Sequence, residues 1–317
     1  MMTTEVDYLT AVGAAVRAPS LHNSQPWRFR VAPDGVEVRL DPRRRLPASD
    51  PTGWAARLAA GAALFNLRLG IAVQGRRPEV RLLPDPSQPY LVAQVGLGDA
   101  RPPTPQEERL WQAVWQRHSN RSPFWPDLVP AEARADLVAA AAAEQAWLAL
   151  LIGPGPVNAL AEIATAANQV LMRDPAYRAE MAAWIRESRT SVDGVPRDAG
   201  GPSPAAHDLL PRRPFSDRPR RLGDDVEEQP LVAVLGTAED SPGDQVVAGQ
   251  ALQRVLLTAT DAKLAVSMIS QPIEVAPARE QLRLALHQYG TPQMVLRIGY
   301  GPPGRPTPRR PLADVVD

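Results

Sequence analysis

Ala18-Pro19-Ser20-Leu21-His22-Asn23-Ser24-Gln25-Pro26-Trp27 is the stretch on which the fold of this chain turns. It follows an amphipathic segment, Glu5 to Arg17, in which Val6, Leu9, Val12 and Val16 recur at roughly helical spacing. Pro19 ends that helix, because the residue before a proline avoids the α region. A strand pattern, Trp27 to Val31, comes next. Ser20, Asn23, Ser24 and Gln25 therefore fall in a helix-to-strand turn, a place where proteins present side chains and backbone N–H groups to ligands. Two hydroxyls, two carboxamides and an indole suit a flat heterocycle, since amides donate and accept along a ring edge. The same residues also suit a purely structural turn, an Asx bond beside a buried tryptophan.

Beyond the turn, strand patterns at Trp27 to Val31 and Val36 to Leu40 flank Asp34-Gly35. An apolar helix pattern spans Trp54 to Val73, and further strand patterns cover Glu79 to Leu83 and Tyr90 to Gly96. Arg101-Pro102-Pro103-Thr104-Pro105 reads as a boundary. The second half repeats parts of the first. Gly61-Ala62-Ala63-Leu64 parallels Gly249-Gln250-Ala251-Leu252, and Leu91 to Gly98 parallels Met294 to Gly301, in the same order. These pairs read as a central helix and a central strand of a duplicated unit. The second copy is longer between helix and strand, where Ser267 to Glu274 and a helix pattern from Ala278 to Gln288 fall. It opens on Arg117-His118-Ser119-Asn120-Arg121, which has no counterpart before Thr4. Its version of the opening turn, Ala142 to Trp147, lacks the Ser and Asn. From Asn158 to Pro230 runs an excursion, helical from Val157 to Arg189 and rich in Gly, Pro, Asp and Arg from Thr190 to Glu228. A coil of that length is a lid, an Ω-loop or a tolerated insertion.

The 317 residues leave room for two domains or one large one, and a hydrophobic share of 44% allows a substantial core. Basic and acidic residues number 35 each, so no global field draws nucleic acid or an anionic membrane. Every basic residue but Lys263 is arginine, which with 35 prolines reads as the usage of a GC-rich bacterial genome. The lack of cysteine excludes disulfides, thiolate metal sites and thiol nucleophiles, and fits a cytoplasmic protein. There is no signal-peptide pattern, and Val138 to Leu151 is broken by Glu144 and Gln145, so no membrane span is expected. His22, His118, His207 and His287 lack ligand spacing, and no metal is expected. Gly299-Tyr300-Gly301-Pro302-Pro303-Gly304 matches a dinucleotide fingerprint, but Pro302, Pro303, Pro306 and Pro308 forbid the helix it requires.

The opening turn resembles the Pro-Ser-x-x-Asn-x-Gln-Pro-Trp turn of the FMN-dependent nitroreductase family. Its His-Asn-Ser-Gln-Pro-Trp form is similar to that family's long, duplicated Acg-like branch. The resemblance implies that Ser20, Asn23 and Gln25 contact FMN. Arg117, Ser119 and Arg121 look like the family's Arg-x-Ser-x-Arg grip on the FMN phosphate, a pattern that can fork onto phosphate oxygens. Arg309 and Arg310 resemble its closing basic segment, either one being able to reach the phosphate; a frayed tail is the other reading. Ser267, Met268 and Ile269 resemble the segment that offers backbone N–H groups near flavin N5, with Glu274 as an anchor.

The implied fold is α+β and nitroreductase-like. Its halves, 1–105 and 106–317, form an intrachain pseudo-dimer, with an insertion at about 173–228 as a lid. The opening turn of one half and the phosphate grip of the other would meet once, giving one FMN per chain in a monomer rather than an obligate homodimer. The implied activity is hydride transfer from NAD(P)H through FMN to a nitro compound, quinone or similar small acceptor. Flavin N5 would carry the chemistry, and no catalytic side chain is assigned. FMN storage under a lid, or a flavin oxidase or dehydrogenase acting on a biosynthetic intermediate, remain alternatives.

Overall fold

The structure is a computed structural model that describes residues 6–187, 190–205, 208–220, 230–287 and 289–317. The expected insertion is thus described in part, and His207 and Gln288 lie outside the described residues. In chain order come α1 (Tyr8–Ala15), β1 (Trp27–Ala32), β2 (Gly35–Leu40), α2 (Trp54–Ala72), β3 (Arg76–Leu82), β4 (Leu91–Ala100) and α3 (Pro105–Gln116). There follow α4 (Ala131–Ala142), β5 (Trp147–Leu151), α5 (Pro154–Arg173), α6 (Pro175–Ala183), β6 (Ile185–Arg186) and β7 (Val195–Pro196). Last come β8 (Leu231–Thr237), α7 (Pro242–Asp261), β9 (Ala265–Ile269), α8 (Gln271–Glu274), α9 (Ala276–Ala285) and β10 (Thr291–Gly299).

Local chemistry accounts for the helix starts. Asp7 caps α1 by accepting from Leu9 N and Thr10 N, and Thr104 with Glu107 forms a capping box on α3. The Arg101–Pro105 joint therefore delivers Pro105 to the first turn of α3. Ser241 and Asp244 cap α7 in the same way. Two strands outrun their patterns: β3 starts at Arg76 rather than Glu79 and stops where Leu83 turns to φ 45°, and β4 continues past Gly96 to Ala100.

Two four-stranded antiparallel sheets result, ordered β1-β2-β4-β3 and β5-β8-β10-β9. The order is the same in both, with α2 and α7 each joining the second strand to the strand at the far edge. Leu91 to Gly98 lies on β4, and Met294 to Gly299 on β10, the third strand of each sheet. Ser267 to Ile269 lies on β9 and so occupies the place of β3 rather than extra chain; the added length is α8 and α9. Gln145, at φ 59°, stands two residues before Trp147 as Gln25, at φ 52°, stands before Trp27.

Helices α2 and α7 pack on each other in the middle of the molecule, and two glycines set their approach. A Cβ on Gly61 would lie 2.1 Å from Val246 O, and one on Gly249 only 2.0 Å from Leu58 O. The cores consequently interleave: Trp54 and Leu58 of α2 join the cluster under the second sheet, and Val246 of α7 joins that under the first. Gly249→Ala should cost about 1–3 kcal/mol or more, read from the urea midpoint, because backbone lies in the way and cannot swing aside. Helix α2 is the one described helix long and apolar enough to cross a membrane, and 83% of that window is buried inside the molecule.

The C-terminal chain crosses back to the first sheet. Phe29 N donates to Val315 O at 2.7 Å, and Asp317 N donates to Phe29 O at 2.8 Å. The segment around Arg309 is therefore pinned at its far end beside the opening turn.

Candidate functional site

The opening turn is strained and heavily tied. His22, Asn23 and Gln25 all have positive φ (53°, 55° and 52°), a conformation costly for residues with a Cβ. Ser20 Oγ accepts from Gln25 N at 2.9 Å. The Asn23 amide donates to Gly194 O at 2.9 Å and Pro308 O at 3.0 Å, and its Oδ1 accepts from Arg309 Nη1 at 2.9 Å. Gln25 donates to Val192 O at 2.9 Å and accepts from Arg310 N at 2.9 Å. The two carboxamides thus join three segments, namely the turn, the insertion at Val192–Gly194 and the C-terminal segment at 308–310. Trp27 is fully buried beneath them.

Three arginines gather beside this turn. Arg117, at the end of α3, is buried; it donates to Arg17 O at 3.2 Å, while its Nε and Nη1 have no partner among the described residues. Arg309 donates to Asn23 Oδ1, to Thr307 Oγ1 at 2.7 Å and to Ala18 O at 3.1 Å, and its Nε is buried without a partner among the described residues. Arg121 donates to Ala199 O at 3.2 Å and lies over the Phe215 ring at 5.1 Å. Among the described residues no carboxylate lies within 4.0 Å of any of the three guanidinium groups. Burial, and then neighbouring cations, pull Arg117 and Arg121 down to about 10 and Arg309 to about 9. Burial with Arg117, Arg309 and Arg17 likewise lowers His118 to about 4.

Ser119 lies between Arg117 and Arg121 in the chain, in a parallel bridge to Val266 at the outer edge of β9. Arg310 faces elsewhere: its guanidinium is 3.9 Å from Asp41 Oδ2 and donates to Asp314 O at 2.6 Å. Of the two C-terminal arginines, then, Arg309 is the one that joins Arg117 and Arg121.

Next to the arginines is a cavity walled by Ser20, Leu21 and His22 of the turn and by Trp54 and Leu58 of α2. Met268 and Ser270 close another side, with Arg121 and, from the insertion, Arg213 and Phe215. Within β9 only Met268 of the three expected residues lines it; Ser267 stands opposite Arg297 in the ladder and Ile269 is core. Strand parity gives Met268 a further property. Val266 O accepts from Asn120 N at the outer edge of β9, so the backbone of Met268, two residues on, also faces outward.

Arg213 is held by a buried network. It pairs with Glu274 of α8, donates to Tyr177 Oη of α6 at 3.0 Å and donates to Ser270 Oγ at 3.0 Å. Glu274 is therefore an anchor, and what it anchors is the insertion. Sequence reasoning passed over Arg213, Phe215, Trp54 and His22. The first two sit in an aperiodic Gly/Pro/Arg-rich run where no pattern distinguishes a buried residue from a solvated one.

Asp50 stands at the start of α2 and accepts from Ala55 N at 3.0 Å and Ala56 N at 2.9 Å. Burial raises its carboxyl to about 6 against an ordinary 3.8. A raised acid is protonated in the folded chain while already ionised in the unfolded one, so between about pH 4 and 6 the folded state binds more protons. Its contribution to stability must fall as pH rises through that window, by up to about 2–3 kcal/mol. Asp50→Asn should flatten the decline of Tm with pH over that range.

Residues 114–300, more than half of the chain, match the model of the nitroreductase family. The chain belongs to the nitroreductase family. Its membership is supported along nearly the whole length. It is 34% identical to a Mycobacterium tuberculosis protein named "Putative NAD(P)H nitroreductase", across 97% of this chain and 90% of that protein. It is 31% identical to "Putative NAD(P)H nitroreductase acg" of the same organism, across 99% of this chain and 96% of that one. Among solved structures, the FMN-dependent nitroreductase NfnB of Mycobacterium smegmatis, in complex with NADPH, is 18% identical over 65% of this chain and 96% of its own, with a TM-score of 0.43. This nitroreductase-family chain has a mixed helix and sheet architecture, with the site formed where the turn, the segment after α3, the insertion and the C-terminal segment meet.

Proposed function

We propose that this chain is an FMN-dependent oxidoreductase that passes hydride from NAD(P)H to a nitro compound, a quinone or a related small acceptor. One observation carries the reading: Arg117, Arg121 and Arg309 are brought together, each pulled down by burial, with no carboxylate within 4.0 Å of them among the described residues. Buried cations persist when a partner compensates them, and a phosphate monoester is the anion whose geometry suits forked guanidinium donors. The adjoining cavity offers a flat ligand the indole of Trp54, the Met268 side chain and the Phe215 ring. These residues fit FMN, with the phosphate at the arginines and the ring in the cavity. Bound there, FMN supplies the hydride-accepting and hydride-donating atom. The chain's own part is to orient the ring, to offer the outward-facing backbone of Met268 to it, and to exclude water with the insertion. The cation Arg121 at the cavity wall favours negative charge there and so favours the reduced ring.

Gathering the turn and the arginines once per chain supports one FMN per chain. A second reading, FMN sequestration, is favoured by the ties that hold the insertion across the site: Gln25 to Val192, Asn23 to Gly194 and Arg213 to Glu274. Anaerobic addition of NADPH and NADH to the FMN-loaded protein separates the two. Bleaching of the flavin band within seconds, and its return on adding a quinone, supports the oxidoreductase. A flavin that stays oxidised under excess nucleotide, yet is reduced by dithionite, points to sequestration. A chain that takes up no FMN rules out both.

A further inference from the structure

The end of β5 borders a groove for which the proposed function has no use. Leu151 of β5 and Leu231 of β8, both buried in the second core, supply its floor. Val157 of α5 and Leu209 of the insertion, packed against the same core, line it as well. Leu128 and Ile152 stand on it at 70% and 60% exposure, the two most exposed aliphatic side chains among the described residues. Exposed apolar groups gathered on one concavity mark a binding surface more often than scattered ones do. The groove encloses about 460 Å³. Small-molecule sites span roughly 300–1,000 Å³. It is separate from the flavin cavity: β5 and β9 are the opposite edges of the second sheet, and no residue lines both spaces.

The polar part of the groove has one sign. Arg134 of α4 is its single charged residue, and no carboxylate lines it. Among the described residues the Arg134 guanidinium has no ion pair within 4.0 Å. Beside it α5 begins, a helix of 20 residues whose N-cap, Gly153, provides no side-chain hydrogen bond. That first turn is open, since a Cβ on Gly153 or Gly155 would meet nothing within 4 Å. A long helix carries partial positive charge at its start, and Asn158 adds a carboxamide. We propose that this groove binds a monocarboxylate with an apolar tail, a free fatty acid. The carboxylate lies at Arg134 and the first turn of α5, and the tail covers Leu128 and Ile152. One guanidinium forks onto one planar carboxylate, and a single negative charge is what one arginine balances. Covering the two rim residues removes their apolar surface from water, which supplies the drive for the tail.

Decanoate is the probe, and decan-1-ol, with the same tail and no charge, is its control. Each is titrated calorimetrically, below the concentration at which it forms micelles, into the full chain with and without FMN. Wild type should take up one decanoate per chain and bind it at least tenfold more tightly than decan-1-ol. Arg134→Gln should bring the two ligands within about threefold of each other. Leu128→Ser with Ile152→Ser should weaken both by tenfold or more and keep the preference for the acid. Leu128 and Ile152 are surface residues, so the double variant should melt as wild type does, and its loss of binding is then a loss of the tail contacts. A preference for the acid that survives Arg134→Gln overturns the proposal, as does a double variant that binds decanoate like wild type. Displacement of decanoate by FMN would place the acid in the flavin cavity and overturns it too. Wild type that shows no saturable uptake of decanoate ends it, whatever the outcome with FMN.

Discussion

Arg309→Met and Arg117→Met should each weaken FMN binding by about 10- to 150-fold, the equivalent of about 1.5–3 kcal/mol for a lost charge-assisted contact. The same substitutions should leave the Tm of the FMN-free protein unchanged or raise it. Both directions have one cause. In the free protein both guanidinium groups are buried beside other cations, Arg309 beside Arg117 and Arg17 and Arg117 beside Arg121, which is why Arg309 lies at about 9 and Arg117 at about 10, below their ordinary range. Removing either relieves that repulsion, and methionine fills most of the volume left behind. Arg310→Met serves as the control. Its side chain turns to Asp41 and Asp314, so FMN affinity should stay within about twofold of wild type. Fluorescence titration and thermal melts on the same preparations check both halves. An affinity that does not change in either Arg117→Met or Arg309→Met would place the phosphate elsewhere.

Glu274→Ala should destabilise the chain by about 3–5 kcal/mol, because it strands the Arg213 guanidinium in the interior. The carboxylate side chain is 1% exposed and that of Arg213 is 8% exposed. Their mutual attraction raises Arg213 above its usual value, with Tyr177 Oη and Ser270 Oγ completing the shell. Replacing both partners at once, Arg213→Met with Glu274→Leu, should recover most of the loss, since no charge is then buried alone. Urea denaturation of the single and double variants measures the coupling. The pair joins α8 to the insertion, so a milder variant, Glu274→Gln, should also speed FMN release by loosening that segment over the cavity. Unchanged release with lowered stability would mean that the insertion does not govern access.

The elements that local chemistry specifies were legible from residues alone. The period of Trp54 to Val73, the turn at Asp34-Gly35, the boundary at Arg101 to Pro105 and the prolines after Gly301 each act within a few residues. The structure follows the helix and the hairpin to within a residue, while β3 starts three residues early and β4 runs four residues past Gly96, to Ala100. The wording of the turn from Ala18 to Trp27 pointed to the family, and Arg117 and Arg121 could be picked out because their spacing is local.

Tertiary structure decided what long-range contact decides. Which of Arg309 and Arg310 joins the cluster depends on the return of Val315 to Phe29, a pairing of chain ends that no local pattern encodes. That Asn23 and Gln25 join three segments follows from partners more than 160 residues away at Val192, Gly194 and Arg310. The desolvation of Arg117 and Arg309 and the burial of Arg213 in an otherwise featureless run are properties of a packed interior. Desolvation exists only once the chain has closed around a group, so residue order could name these side chains but not their environment.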